Sequence, residues 1–297
     1  MTGNSIHRPI VVGVDGSAAA LRAARWAADE AARRRLPLRL VQVIDVVSAT
    51  GGFAPPRSFF TTLETEGRRQ LTEAEAAVRQ DHPELEIEPI LRTAGLVSTL
   101  IALSEDAQLM VLGARGSGGL LAGSTAIALV AHGHSPVAVI RGGETDEAPP
   151  SEGPVVVGVD GSPISEPALA MAFEEAAMRG TDLVAVHAWV EFTSDTAYAT
   201  ARQFLVDWEA VETREREMLA ERLAGWQEKY PDVAVRRVVT GGRPAGRLLD
   251  AAEDGQLLVV GSRGRGGFAG MLLGSTSQAL IHHAPCPLMV VRPSAAD

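Results

Sequence analysis

One stretch of this chain has the residue types and the spacing to hold a phosphate. Residues 261–276 read GSRGRGGFAGMLLGST, a glycine skeleton of the form G-x2-G-x9-G-S built on Gly261, Gly264 and Gly274. Glycine permits positive φ and lets backbone amides approach a ligand that side chains would block. Ser275 and Thr276 open a helix expected over Ser275–His283, where free amides and the helix dipole favour an anion. Arg263 and Arg265 are the cations of the loop, and Lys229 is the only lysine of the chain, which excludes a GxxxxGK[ST] P-loop. Glycines alone would permit no more than a tight strand-to-helix connection. The position of the loop after an apolar run, the helix start behind it and a counterpart in the other half favour the phosphate reading.

A second chemical element is the sequence GVDGS, at 13–17 and again at 158–162. A carboxylate at Asp15 or Asp160 would point into the crevice beside the glycine loop and accept hydrogen bonds from a ribose or base. Gly13 and Gly158, two residues earlier, are counted with the binding residues. The competing reading makes each aspartate an ordinary turn or cap residue.

The elements that must position these residues come as two copies. IVVGVDGS at 10–17 recurs as VVVGVDGS at 155–162, and QLMVLGARG at 108–116 recurs as QLLVVGSRG at 256–264. Leu38–Val43 and Leu183–Ala188 match, as do SPVAVI at 135–140 and CPLMVV at 286–291. The period is that of a duplicated domain. Domains are expected at 1–141 and 154–297, joined by a linker at 142–153 that has two adjacent prolines and no apolar periodicity.

Each half alternates strand and helix. Short β-branched runs without polar alternation, Ile10–Val14 and Val155–Val159, predict strands buried on both faces. Further strands are expected at Leu38–Ile44, Glu86–Leu91, Leu109–Leu112 and Val137–Ile140. Their counterparts are Leu183–Trp189, Val233–Val239, Leu257–Val260 and Leu288–Val291. Long helices are expected over about Thr61–Gln80 and Arg202–Glu228. Ser162 before Pro163 reads as an N-cap with proline at the first helical position, and Arg33, Arg34 and Arg35 close the first helix. Five strands separated by helices predict α/β architecture, a doubly wound parallel sheet in each half, with ligands beyond the carboxyl ends of the strands.

Composition narrows the function classes. The chain has 297 residues, 46% hydrophobic and 22% charged, with a net charge of −10. A chain coating nucleic acid or a membrane surface needs a cationic field, so neither partner is expected. No apolar stretch approaches the roughly 20 residues of a membrane span, and no export signal is visible, so a cytoplasmic location is expected. Cys286 is the only cysteine, which fits a reducing compartment and, in its place between two prolines, buried packing. His132 with His134 and His282 with His283 lie at helix C-termini, where they meet the dipole rather than a metal. Ser17, Ser162 and Ser275 lack a nucleophile elbow and read as caps. Trp26, Trp189, Trp208 and Trp226 read as packing residues. Thr213–Arg222 reads as a solvated helix face.

Taken together, GVDGS after strand one, G-x2-G-x9-G-[ST] after strand four and a Pro-Val or Pro-Leu opening to strand five resemble the universal stress proteins, in a tandem form like that of actinobacteria. The resemblance covers both halves. It implies a sheet order of 3-2-1-4-5 and ATP as ligand, with or without Mg²⁺. Asp160 would contact the nucleoside and the backbone of Ala188 the adenine edge. Gly261 would lie near the ribose, while Gly264, Gly274, Ser275 and Thr276 would hold the phosphates. The matching positions of the first half are Asp15, Val43, Gly113, Gly116, Gly123, Ser124 and Thr125, with Arg115 in the place of Arg263. There the loop is G-x2-G-x6-G-S, three residues shorter, with less chain to surround a triphosphate. The resemblance further implies a homodimer, domains paired through Val137–Ile140 and Leu288–Val291, and a nucleotide-dependent regulatory or interaction role in stress or dormancy, with a protein partner. Two alternatives stand beside it: a slow ATPase or nucleotidyl transferase at the same site, and a dimerising module that needs no nucleotide.

Overall fold

The computed structural model describes residues 8–46, 56–114, 123–141, 149–189, 207–265 and 272–292. The chain divides into two compact units, Met1–Pro149 and Pro150–Asp297.

In the first unit the strands are β1 (Ile10–Gly13), β2 (Leu38–Ile44), β3 (Ile87–Thr93), β4 (Leu109–Gly113) and β5 (Val137–Ile140). Between them run α1 (Ala18–Arg34), α2 (Arg57–Asp81), α3 (Leu96–Leu103) and α4 (Ser124–His132). The sheet is parallel in the order β3-β2-β1-β4-β5. The second unit repeats it with β6 (Val155–Gly158), β7 (Leu183–Trp189), β8 (Val235–Gly241), β9 (Leu257–Gly261) and β10 (Leu288–Val291). Its helices are α5 (Glu166–Arg179), α6 (Trp208–Lys229), α7 (Pro244–Ala252) and α8 (Ser275–His283), and its sheet order is β8-β7-β6-β9-β10.

Sequence and packing agree in the first strand of each unit. Val155, Val156 and Val157 are fully buried, as are Val11 and Val12, because helices cover both faces of a parallel sheet. Helix α1 begins where the Ser17 side chain accepts the Ala20 amide and ends with Arg35 in the left-handed region, its amide on Ala31 and Ala32 carbonyls. Within α1 the fully buried Glu30 pairs with Arg34 at 2.8 Å; Glu175 and Arg179 repeat the pair in α5 at 2.9 Å. Phe173 anchors the second core, stacked on Trp226 and Tyr230.

Several boundaries move. Helix α2 starts at Arg57, four residues before the expected Thr61; α6 runs from Trp208, where the Asp207 side chain accepts the Ala210 amide, and residues 202–206 of its expected range lie outside the described residues. Strands β3 and β8 end two residues later than expected. Ser162 does not cap a helix with its side chain. Pro163–Ser165 form a 3-10 turn first, and the Ser162 hydroxyl instead donates to Asp160 at 2.7 Å. The Thr213–Arg222 run carries an i,i+4 ion pair, from Arg216 back to Glu212, but Glu215 turns inward to His187.

Candidate functional site

Both sheets reverse strand order beside their first strand. β6 pairs with β7 on one side and β9 on the other, as β1 does with β2 and β4. A crevice at the carboxyl ends of these strands is the ligand position of such sheets.

In the second unit the expected site residues meet there. Asp160 follows the end of β6, with Gly161 at φ 75° turning the chain away. Asp160 Oδ1 accepts from the Ser162 amide at 2.9 Å and its hydroxyl at 2.7 Å. Oδ2 accepts from the Arg265 amide at 2.6 Å, a bond spanning 105 residues. The aspartate is therefore a turn residue and also the link between strand one and the glycine loop. Gly264 eases this closure, since a Cβ would stand 3.0 Å from Asp160 Oδ2 and press on it. A Cβ on Gly161 would collide with Arg265 Nη2 and Met218 Sδ, so the Arg265 side chain lies over the turn.

The far end of the loop is clamped by Ser262. Its amide donates to Val291 O at 2.8 Å, and its carbonyl accepts from Gly274 N at 2.9 Å. Ser277 then donates to Gly261 O at 2.7 Å, tying the first turn of α8 to the end of β9. The N-cap of α8 is Gly274, which has no side chain to cap the first turn, and the N-terminus of a helix suits an anion. Gly274 does not supply positive φ. Its φ is −74° and ψ 150°, so what it supplies is the absence of a side chain beside Arg263 and Gly264. Ala188 lies two residues beyond Val186, the register partner of Gly158, which puts it level with Asp160.

Gly158 and Gly13 serve packing. A Cβ on Gly158 would press Leu248 and Val260 at 3.2 Å, and one on Gly13 would lie 2.8 Å from Leu112. The first unit otherwise follows the same plan. Asp15 accepts the Ser17 amide at 3.0 Å, and Val43 lies two residues past Val41, the partner of Gly13. A Cβ on Gly113 would meet the Ala19 backbone at 2.8 Å, so this glycine lets α1 start against β4. Here Gly123 does adopt positive φ, 95°, before Ser124 and Thr125. Arg115 and Gly116 lie outside the described residues.

Sequence reasoning passed over Arg292. Burial, and then the neighbouring charge of Arg263, hold its guanidinium pKa below the ordinary value. Two cations therefore stand together at the carboxyl ends of β9 and β10, an arrangement that favours an anion. The signal was present, because an arginine follows the fifth strand in both halves, Arg141 and Arg292. It also passed over buried His187, whose Nδ1 donates to Val159 O at 2.7 Å and whose Nε2 lies 2.9 Å from Glu215 Oε2.

Comparisons with known proteins agree with this fold. The model of the universal stress protein family matches residues 7–141 and 153–292. Universal stress protein Rv2623 of Mycobacterium tuberculosis (strain ATCC 25618 / H37Rv) is 43% identical, over 99% of both chains. Universal stress protein Rv2005c of the same strain is 44% identical, over 96% of this chain and 97% of its own. A crystal structure of a universal stress protein from Archaeoglobus fulgidus DSM 4304 shares the fold, with a TM-score of 0.69 at 19% identity and 97% coverage of each chain. The chain belongs to the universal stress protein family, with one family domain in each of its two units.

Proposed function

We propose that the protein binds adenine nucleotide, ATP above all, at the carboxyl ends of both sheets, with the second unit holding it more tightly. The observation that carries this reading is the bond from Arg265 N to Asp160 Oδ2. It brings a carboxylate suited to nucleoside hydroxyls and a glycine loop suited to phosphates into one crevice, next to a helix N-terminus that opens on Gly274. Arg263 and Arg292 add the positive charge a polyphosphate needs. Mg²⁺ would enter with the nucleotide, shielding its outer oxygens. The first unit has the carboxylate, Gly123 and the Ser124–Thr125 helix start, but three fewer loop residues, hence fewer amides to offer.

Bound nucleotide would set the conformation of a surface read by a protein partner in a stress or dormancy response, with the chain acting as a homodimer in the cytoplasm. The mycobacterial relatives, named as universal stress proteins and matched over nearly their whole length, support the stress role. No helix among the described residues is long and apolar enough to cross a membrane.

Native mass spectrometry of the purified full chain, followed by calorimetric titration with ATP, ADP and AMP, tests the reading. Retained or titratable ATP, with the tighter of the two sites weakened in Asp160→Ala, supports it. A folded chain with no adenine-nucleotide affinity overturns it in favour of a nucleotide-independent module, and ADP accumulating from ATP supports the slow ATPase.

A further inference from the structure

The two units differ in how the peptide just ahead of the strand-one aspartate is held. The ladder of β6 ends with Gly158 opposite Val186 and Val157 opposite Val259. One residue later Val159 N still donates to Val186 O at 2.9 Å, but its carbonyl has passed the end of the sheet. His187 takes that carbonyl. The imidazole is 2% exposed, and a carbonyl only accepts, so Nδ1 is the donor of the 2.7 Å bond. On its other side Nε2 meets Glu215 of α6 at 2.9 Å. A chain of contacts thus runs from α6 through β7 to the peptide that carries Asp160.

At the matching positions the first unit has Gln42 and Gln70, each 145 residues earlier than its counterpart. Val14 N repeats the backbone bond, to Val41 O at 2.9 Å. The side chains run elsewhere. Gln42 donates to Gln70 Oε1 at 2.9 Å, and Gln70 donates to Glu66 Oε1 at 2.9 Å, outward along α2. Gln42 Oε1 is buried without a partner among the described residues.

We infer that His187 is a positioning residue of the second unit's nucleotide site, fixing the Val159–Asp160 peptide through its Nδ1, and that this device belongs to the second unit alone. The inference rests on the nucleotide reading above. It adds a cause of unequal affinity independent of loop length: an acceptor already fixed in direction costs less to order when ligand arrives.

The two ring nitrogens can be tested apart, because the amide of Asn reaches the place of Nδ1 and that of Gln the place of Nε2. Variants are made in the full chain carrying Glu215→Gln, so that no carboxylate is stranded, and Asp15→Ala, so that calorimetry with ATP reports the second unit. His187→Asn is expected to keep the dissociation constant within about twofold of this parent. His187→Gln is expected to weaken it by about five- to tenfold, the effect of one hydrogen bond. Amide hydrogen exchange without nucleotide gives a second readout. The Ser162 and Arg265 amides, both bound to Asp160, should exchange faster in the Gln variant and unchanged in the Asn variant. Equal behaviour of the two variants in both readouts would overturn the inference. If the Asp15→Ala chain with Glu215 intact binds no ATP, the nucleotide reading of the second unit fails instead, while the exchange contrast still decides the positioning. Should either variant unfold, the reciprocal change in the first unit decides: Gln42→His with Gln70→Glu is expected to slow exchange of the Ser17 amide, and unchanged exchange there counts against the device.

Discussion

Alanine at Gly123 and at Gly274 is expected to do opposite things, although the two glycines stand at matching positions before α4 and α8. Gly123 has φ 95°, and a side chain in the left-handed region costs about 1–2 kcal/mol. Gly274 has φ −74°, open to any residue. A Cβ there finds Arg263 Cα and Ser262 O at 3.5 Å and Gly264 N at 3.8 Å, ordinary contact distances. Gly274→Ala should therefore stay within about 0.5 kcal/mol of the parent. For a domain of this size 1 kcal/mol moves the midpoint by roughly 2–4 °C. Gly123→Ala should then lower the first unit's unfolding by about 2–8 °C, and Gly274→Ala the second unit's by less than about 2 °C. The binding effect of Gly274→Ala is the larger one, since its methyl occupies the space beside the Gly264 amide proposed for phosphate. Gly274→Val, with two further methyls, should abolish binding there. Differential scanning calorimetry, with amide exchange assigning each transition, measures the first effect and titration with ATP the second. If Gly274→Ala destabilises as much as Gly123→Ala, the backbone argument is wrong. If folded Gly274→Ala and Gly274→Val both bind ATP like the parent, the phosphates do not lie against this loop.

Asp160→Ala should weaken ATP by about 1–3 kcal/mol, the scale of hydrogen bonds to a charged group; unchanged affinity with lowered thermal stability would leave the aspartate as a turn residue only. Gly113→Ala should destabilise the first unit by about 1–3 kcal/mol, because the new methyl meets Ala19 backbone at 2.8 Å; denaturant titration reads this, and a wild-type midpoint would contradict the packing. Glu30→Ala removes the carboxylate beside Arg34, whose side chain is only 6% exposed, and should cost about 3–5 kcal/mol, measured in the same way. Burial pushes the Cys286 thiol up to about 12, so a disulfide reagent at pH 8 should label it only after denaturation. The unfolded thiol ionises first, near its ordinary value of 9.0, so this group's contribution holds below that pH and is lost as pH rises towards about 12. Rapid labelling of the native chain at pH 8 would show that the thiol is not enclosed.

Much of this protein is written in local pattern. Short apolar runs rich in β-branched residues predict strands covered on both faces, and Val137–Ile140, Leu183–Trp189 and Leu288–Val291 form with the ends expected of them. Duplication is visible because both copies must meet the same steric demands at the same turns. The glycine skeleton marks a loop that must come close to something. Helices α3 and α7, eight and nine residues long, were less legible than the comparably short α8, because no glycine motif with a Ser-Thr start marks where they begin.

What the glycines and charges are for was decided by tertiary structure. Gly13, Gly113, Gly158 and Gly274 look alike in sequence. The first three make room for Leu112, Ala19 and Leu248, while Gly274 keeps clear the space beside Gly264. Ser162 had the look of a cap, but Asp160 offered its hydroxyl a charged acceptor two residues away, and a 3-10 turn took the place of the first helical turn. The Asp160–Arg265 bond joins residues 105 apart, and Arg263 meets Arg292 only because β9 and β10 are neighbours. Glu215, one of several acidic residues on an exposed helix, became a site-side residue because its turn of α6 lies over His187. Sequence fixes which side chains are available at each element. Distances between elements arise only when the sheet closes its strand order, and the chemistry of this crevice depends on those distances.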